Sequence, residues 1–275
     1  MIKDVIVKLE QQARDPAQDF AISVARTLGA HLAGVAFAFV PEFPGYQQFP
    51  RDVLTEIMAH SENAAQAAID RFDAAARQSE ISREHRTLKA REVDAPSVLA
   101  TLARRFDLSV LMQSEPNLVD NDDMIEASLL ESGRPLVVVP YIQREELQLD
   151  CVVCCWDGSR AATRAINDAL PLLVRAETVE LLIVLNEKTS RDEHEIRGIE
   201  IAKHLARHDV KQLQIQTTSA ADIDVTGAIL SYVADRSAKL IVMGGYGHSR
   251  LREIILGGVT RDILKSMTVP ILMSH

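Results

Sequence analysis

Aromatic residues make up only 4% of this 275-residue chain, cysteine occurs three times, and no apolar run approaches the roughly 20 residues that span a bilayer. Each scarcity excludes something. Cys151, Cys154 and Cys155 crowd into one apolar segment, so no disulfide framework of the kind that staples small secreted domains can be drawn. Cys151 and Cys154 do have C-x-x-C spacing. No second Cys/His pair offers the other ligands of a zinc site, strand alternation puts the two thiols on opposite faces, and cysteine in such a run serves as a small hydrophobe. The beginning, Met1-Ile2-Lys3-Asp4, runs into a strand with no signal-peptide pattern, so a cytoplasmic protein is expected. Basic residues are outnumbered, and a net charge of -9 argues against nucleic acid or an anionic membrane as partner. Catalytic signatures are missing as well. There is no nucleophile elbow, no HExxH pair and no Walker lysine, so no catalytic residue and no metal ligand is nominated.

What is present is an ordinary globular composition, 47% hydrophobic and 25% charged, arranged twice over on one plan. The first half reads as strand Asp4 to Leu9, helix Ala17 to Leu28, strand Leu32 to Phe39, long helix Asp52 to Gln78, strand Arg86 to Arg91, helix Pro96 to Phe106, strand Leu108 to Gln113, a short helix and strand Leu136 to Pro140. The second half repeats it: strand Asp150 to Trp156, helix Ser159 to Arg175, strand Val179 to Leu185, helix Arg191 to His208, strand Gln212 to Thr217, helix Val225 to Ser237, strand Lys239 to Met243, helix Gly258 to Met267 and strand Pro270 to Met273. Local correspondences support the repeat: Arg134-Pro135-Leu-Val-Val-Val aligns with Val269-Pro270-Ile-Leu-Met, and Leu108-Ser-Val-Leu-Met with Leu240-Ile-Val-Met. Apolar strands alternating with amphipathic helices indicate parallel sheets covered on both faces, so each half is expected to be a doubly wound α/β domain. The boundaries are residues 1–141 and 149–275, with the polar stretch 142–148 as linker.

The densest chemistry lies in Val242-Met243-Gly244-Gly245-Tyr246-Gly247, followed by Gly257-Gly258-Val259. These glycines fall between a strand end and a helix start, where the backbone can approach a ligand and unpaired helix amides attract anions. Gly-rich turns also simply reverse chains. Gly244, Gly247 and Gly257 follow G-x2-G-x9-G, which resembles the nucleotide loop of the universal stress protein family. Walker A and the dinucleotide fingerprint do not fit. With the repeat, the whole chain resembles a tandem universal stress protein: two open parallel-sheet domains, similar to adenine nucleotide alpha hydrolases, packed as an intramolecular pseudo-dimer. The resemblance also implies that the final strand of each half pairs across the interface between them, which would cover an otherwise exposed edge.

The resemblance assigns roles residue by residue. Asp157, in Trp156-Asp157-Gly158-Ser159, is expected to face the base or ribose, and the backbone of Val184 to contact adenine. Gly244, Gly247, Gly257, Gly258 and Val259 are expected to present amides to phosphate. Each has a plainer reading: Asp157 and Ser159 are good helix caps, and Val184 is an apolar strand residue. One position departs from the family, which usually carries Ser or Thr where this chain has Gly258. A lost hydrogen bond to a charged group costs about 1.5 to 3 kcal/mol. Ser249, Arg250, Thr260 and Arg261 are near enough in sequence to substitute. The first half lacks Asp-Gly-Ser after Val7-Lys8-Leu9, and its counterpart loop, Gln113 to Asp123, has no glycine and several acids that repel phosphate. No nucleotide is expected there. Asp120, Asp122 and Asp123 read as a divalent-cation site or a solvated acidic loop. The stretch Val40 to Pro50, rich in proline and aromatics, reads as the lining of a cleft or partner surface, or as a loop packed on its own aromatics.

The resemblance therefore implies a stress-response protein whose second half binds ATP or a related adenine nucleotide, with Mg as companion ion, as a regulatory ligand. Any ATP hydrolysis is expected to be slow and incidental. The alternative is a scaffold without nucleotide that dimerises and binds protein partners, and a homodimer is compatible with either.

Overall fold

The computed structural model describes residues 1–41, 50–185, 191–220, 224–245 and 258–275, side chains of 191–197 excepted. The aromatic stretch 42–49 and loop residues 246–257, with Gly247 and Gly257, lie outside the described residues. The chain divides into two compact units, Met1–Glu146 and Leu147–His275. Among the described residues, no helix is long and apolar enough to cross a membrane.

The first unit runs β1 (Asp4–Lys8), α1 (Pro16–Leu28), β2 (His31–Phe39), α2 (Arg51–Gln78), β3 (Arg83–Ala90), α3 (Ala95–Ala103), β4 (Leu108–Met112), α4 (Asp122–Glu131) and β5 (Leu136–Val139). The second runs β6 (Cys151–Cys155), α5 (Arg160–Leu173), β7 (Thr178–Leu185), α6 (Arg191–Arg207), β8 (Leu213–Ser219), α7 (Val225–Asp235), β9 (Leu240–Gly244), α8 (Gly258–Ser266) and β10 (Ile271–Ser274). Strand order in the first unit is β3-β2-β1-β4-β5, and in the second β8-β7-β6-β9-β10. Every pairing within these orders is parallel. Both units are doubly wound α/β sheets, as the alternation of apolar strands and amphipathic helices requires.

Strands β4, β5 and β10 are buried throughout, and β1 is except at Asp4. Two of the end strands, β3 and β8, differ. β3 (REHRTLKA) is mostly exposed or half-exposed and β8 (LQIQTTS) alternates, so polar and charged side chains occupy the sides that helices leave uncovered. Helices begin where their caps dictate. Asp15 accepts from the Gln18 amide ahead of Pro16 at the start of α1, Ser159 Oγ accepts from the Ala162 amide of α5, and Asp224 from the Gly227 amide of α7. Gly29 closes α1 in the left-handed conformation, φ 61°.

The long helix α2 lies on β2 through one small-to-large fit. A Cβ placed on Gly34 would stand 2.8 Å from the Phe72 ring, and Phe72 is fully buried. Overpacking at such a seat costs typically about 1–3 kcal/mol. Gly34→Ala is therefore expected to lower the stability of the first unit by roughly that amount in urea unfolding, with recovery when Phe72→Leu is added; an unchanged midpoint would contradict the fit.

Candidate functional site

In a doubly wound sheet the strands flanking the reversal point carry their connections to opposite faces, leaving a crevice at their carboxyl ends. In the second unit that point lies between β6 and β9, whose registered pairing ends at Cys154↔Val242. From β6 the chain continues into Trp156, Asp157 and Gly158, which takes φ 75°, and then Ser159 caps α5. Asp157 is exposed, and its Oδ1 accepts from the Ser159 amide at 2.9 Å, so the carboxylate also stiffens the turn. From β9 the chain reaches Gly244. A Cβ there would lie 2.5 Å from the Ala162 nitrogen and 2.7 Å from the Ala161 carbonyl carbon. No rotamer relieves a clash with backbone, so Gly244 is what lets the end of β9 close on the first turn of α5.

Further contacts hold this corner. His275 Nδ1 lies 3.1 Å from the Gly245 carbonyl oxygen, Arg164 Nη1 donates to the His275 carbonyl at 3.2 Å, and Ser274 Oγ donates to Asp168 Oδ2 at 2.8 Å. Val184 is half-exposed near the end of β7, opposite Thr218 of β8. Of the nominated residues, Asp157 and Gly244 are thus brought to the same crevice, and Val184 to the carboxyl end of the neighbouring strand. Trp156, which the sequence reading did not nominate, has a buried indole N–H with no partner among the described residues. Its signal was available, as the single tryptophan of the chain directly before Asp157.

At the far side of the loop, Gly258 and Val259 begin α8, both exposed. Among the described residues a Cβ on Gly258 would meet only Asp262 Oδ2, at 3.7 Å, so they leave space for a side chain there. Two details alter the expectation of substitute donors. Thr260 is only 4% exposed and packs inward, and the first turn carries Asp262, whose carboxylate stands close to the position a family hydroxyl would occupy. Arg261 is exposed. Ser249 and Arg250 lie outside the described residues.

The corresponding crevice of the first unit, between β1 and β4, is filled by the chain itself. Lys8 Nζ donates to Glu10 Oε2 at 2.6 Å and to Asn121 Oδ1 at 2.8 Å, while Asn121 Nδ2 donates to Glu10 Oε1 at 2.8 Å and to the Met112 carbonyl at 3.0 Å. Lys8, Glu10 and Asn121 are all buried. Arg71 of α2 clamps the same turn through the carbonyls of Glu10 and Gln12 at 2.9 and 2.7 Å. Asp15 completes the corner: its Oδ2 accepts from the Glu10 amide at 2.7 Å. Burial, then the negative charge of Glu10, pushes the Asp15 carboxyl up from 3.8 to about 6, against the two amide hydrogen bonds and Lys8. In the acidic loop, Asp122 Oδ1 accepts from Ser114 Oγ at 2.6 Å and Asp120 Oδ1 from the Asp122 amide at 3.1 Å. Among the described residues no group of three or more acidic, His or Cys side chains is arranged to hold a metal ion.

All three cysteines are free thiols. Burial pushes each of them up, Cys155 to about 12, which favours the protonated thiol over the reactive thiolate. Beside Cys151, the buried Glu180 of β7 receives Tyr232 Oη at 2.7 Å and Arg236 Nε at 2.9 Å. Burial works against its charge, and the hydrogen bonds from Arg236 and Tyr232 outweigh it and hold its carboxyl below the usual range. This cluster ties α7 to the sheet away from the crevice.

Fold and connectivity together define a protein built from two doubly wound α/β units, the second with Asp157 and Gly244 at its crevice. Residues 150–275 match the universal stress protein family. Universal stress protein Slr1230 of Synechocystis sp. is 24% identical over 139 residues, covering 50% of this chain and 46% of that protein. Universal stress protein MJ0577 of Methanocaldococcus jannaschii is 30% identical over 95 residues, covering 32% of this chain and 59% of that protein. The matches thus span about half the length of these curated relatives. Among solved structures, a universal stress protein from Archaeoglobus fulgidus DSM 4304 superposes with TM-score 0.72 at 12% identity, covering 98% of this chain and 97% of that one. The functionally unknown protein PA1789 from Pseudomonas aeruginosa PAO1 does so with TM-score 0.63 at 15% identity, covering 98% and 92%. These structures establish a shared fold over nearly the whole chain.

Two outcomes follow from the geometry. Gly244→Ala is expected to destabilise the second unit by about 1–3 kcal/mol, measured by urea unfolding, since the intruding methyl meets backbone; an unchanged midpoint would refute the close approach. The Asp15 carboxyl gives the first unit a pH signature. Between 3.8 and about 6 the folded state holds a proton that the unfolded state has released, so this contribution is full below that window and is lost as pH rises through it. The stability of the natural protein relative to Asp15→Asn should therefore increase on going from pH 7 to pH 5. A difference independent of pH would show that Asp15 titrates normally.

Proposed function

We propose that the chain is a tandem member of the universal stress protein family, acting in the response to stress, whose second unit binds ATP or a related adenine nucleotide as a regulatory ligand. The observation that carries this reading is the crevice between β6 and β9, where Gly244 brings a strand end onto the α5 backbone while the first residues of α8 stand open. In this reading Asp157 faces the ribose or base and the Val184 backbone the adenine. Gly244, Gly247, Gly257, Gly258 and Val259 offer amides to the phosphates, whose charge Mg would share. The orphaned indole N–H of Trp156 is the kind of buried donor that a ligand acceptor satisfies.

None of the described residues of the crevice resembles a positioned base beside an activated water. Asp157 spends one oxygen on the Ser159 amide and is assigned to the sugar end, so phosphate release should be slow, Mg-dependent and incidental.

A second reading, a scaffold without useful nucleotide affinity that self-associates or engages protein partners, gains support from one observation. Asp262 places a carboxylate oxygen 3.7 Å from where a side chain on residue 258 would begin, and an acid in the first helical turn competes with phosphate for the same positive end.

Calorimetry with ATP separates the two. The natural chain should bind weakly, and Gly258→Ser, which has room for its side chain, should tighten binding by roughly tenfold through one hydrogen bond to a charged group. Asp262→Asn should tighten it as well. If neither the natural chain nor Gly258→Ser gives heat at millimolar ATP, the nucleotide reading fails and the scaffold reading stands.

A further inference from the structure

The filled crevice of the first unit opens outward into a cavity of about 510 Å³, walled by the β1–α1 turn, the ends of β2 and β3, and the acidic loop before α4. Its chemistry is the reverse of a phosphate site. Among the described residues of the wall Lys8 is the one cation, and its charge is already met by Glu10 at 2.6 Å. Glu92, Asp120 and Asp123 stand exposed around the rim, leaving an excess of negative charge. An adjoining cavity of about 590 Å³ shares Phe39 and Glu92, and the guanidinium in its wall, Arg91, is held by Asp94, with Nη2 to Oδ1 at 2.9 Å. No uncompensated cation among the described wall residues of either cavity is placed to receive an anion.

Two further features point to an organic ligand rather than to a solvated acidic loop. Phe37 and Phe39 stack with ring centroids 5.9 Å apart and planes within 10°, and both line the first of these cavities, Phe37 buried and Phe39 half-exposed. Gln12, also in its wall, has a buried Oε1 with no hydrogen-bond partner among the described residues. An aromatic wall attracts flat apolar groups and, through its ring faces, cations; an orphan acceptor asks for an N–H; a carboxylate rim rejects anions.

We propose that this cavity is a binding site for a small organic cation, a protonated amine carrying a flat apolar body, with the body against Phe39 and the ammonium toward the acidic rim and Gln12. The site is independent of the nucleotide reading of the second unit. In a two-unit chain it would let one unit sense an amine while the other senses an anion.

The test uses the full chain with methyl-labelled methionine, since buried Met124 lines the cavity. Phenethylamine is titrated against the neutral phenethyl alcohol and the anionic phenylacetate. Saturable shifts of the Met124 methyl by the amine, weaker shifts by the alcohol and none by the acid are expected. Asp123→Asn and Glu92→Gln should each weaken the amine by roughly two- to fivefold, the range for exposed charge pairs, and Phe39→Ala should weaken it while leaving the unfolding midpoint near that of the natural chain. Magnesium chloride should displace the amine no better than sodium chloride at equal ionic strength. The proposal is overturned if millimolar amine gives no saturable shift, if phenylacetate binds as well, if the charge variants change nothing, or if magnesium displaces the amine specifically.

Discussion

Each half of the molecule depends on one topological constraint: the connections from adjacent central strands, β1 and β4 or β6 and β9, leave toward opposite faces of a parallel sheet. Right-handed crossovers force this arrangement once the order runs outward in both directions from the first strand. It leaves a gap at the carboxyl ends where no helix covers the sheet. The backbone groups and side chains bordering the gap must be satisfied by something, and the two units answer that demand differently.

In the first unit the chain supplies the filler. Lys8, Glu10 and Asn121 exchange hydrogen bonds, Asp15 and Arg71 fasten the turn that carries Glu10, and the charge of Lys8 is already met by Glu10 rather than offered to a phosphate. A buried pair of this kind gives little net stability, but removing one partner strands the other charge, at about 3–5 kcal/mol. In the second unit the same corner contains Gly158, Gly244 and the capped start of α5, elements that bring backbone close together, and no buried side-chain network like that of Lys8 is seen there among the described residues. Asp262 is the local countercurrent, a carboxylate near the helix end that a nucleotide would use. The same strand plan thus carries a self-satisfied crevice in the first unit and, in the second, a corner closed by backbone contact at Gly244.

Much of the architecture was legible in the sequence because buried parallel strands are apolar runs with little else in them. Leu108–Met112 and Leu136–Val139 could be nothing else at that length. Boundaries slipped where that signal fades. β3 begins at Arg83 rather than Arg86, and β8 continues to Ser219 rather than Thr217, because end strands are recognised by backbone pairing with β2 and β7 while their side chains look like loop. For the crevice, Asp157 and Gly244 were readable from local motifs. The Lys8 network was half readable: a lysine inside an apolar strand with a glutamate two residues on shares one face with it, but the closing partner, Asn121, lies 113 residues away. The inward packing of Thr260 and the place of Asp262 beside Gly258 depend on the rotation of α8, which a short helix does not declare in sequence.

The central claim is that only the second crevice is open to a nucleotide, and the most direct measurement follows the backbone amide resonances of the full chain during titration with ATP and Mg. Saturable shifts should be confined to the segments around Asp157 to Ala162, Gly244 and Gly245, and Gly258 to Asp262, while Lys8, Glu10 and Asn121 stay where they are. Shifts centred on Lys8, Glu10 and Asn121, or saturable binding that leaves the second crevice silent, would contradict it.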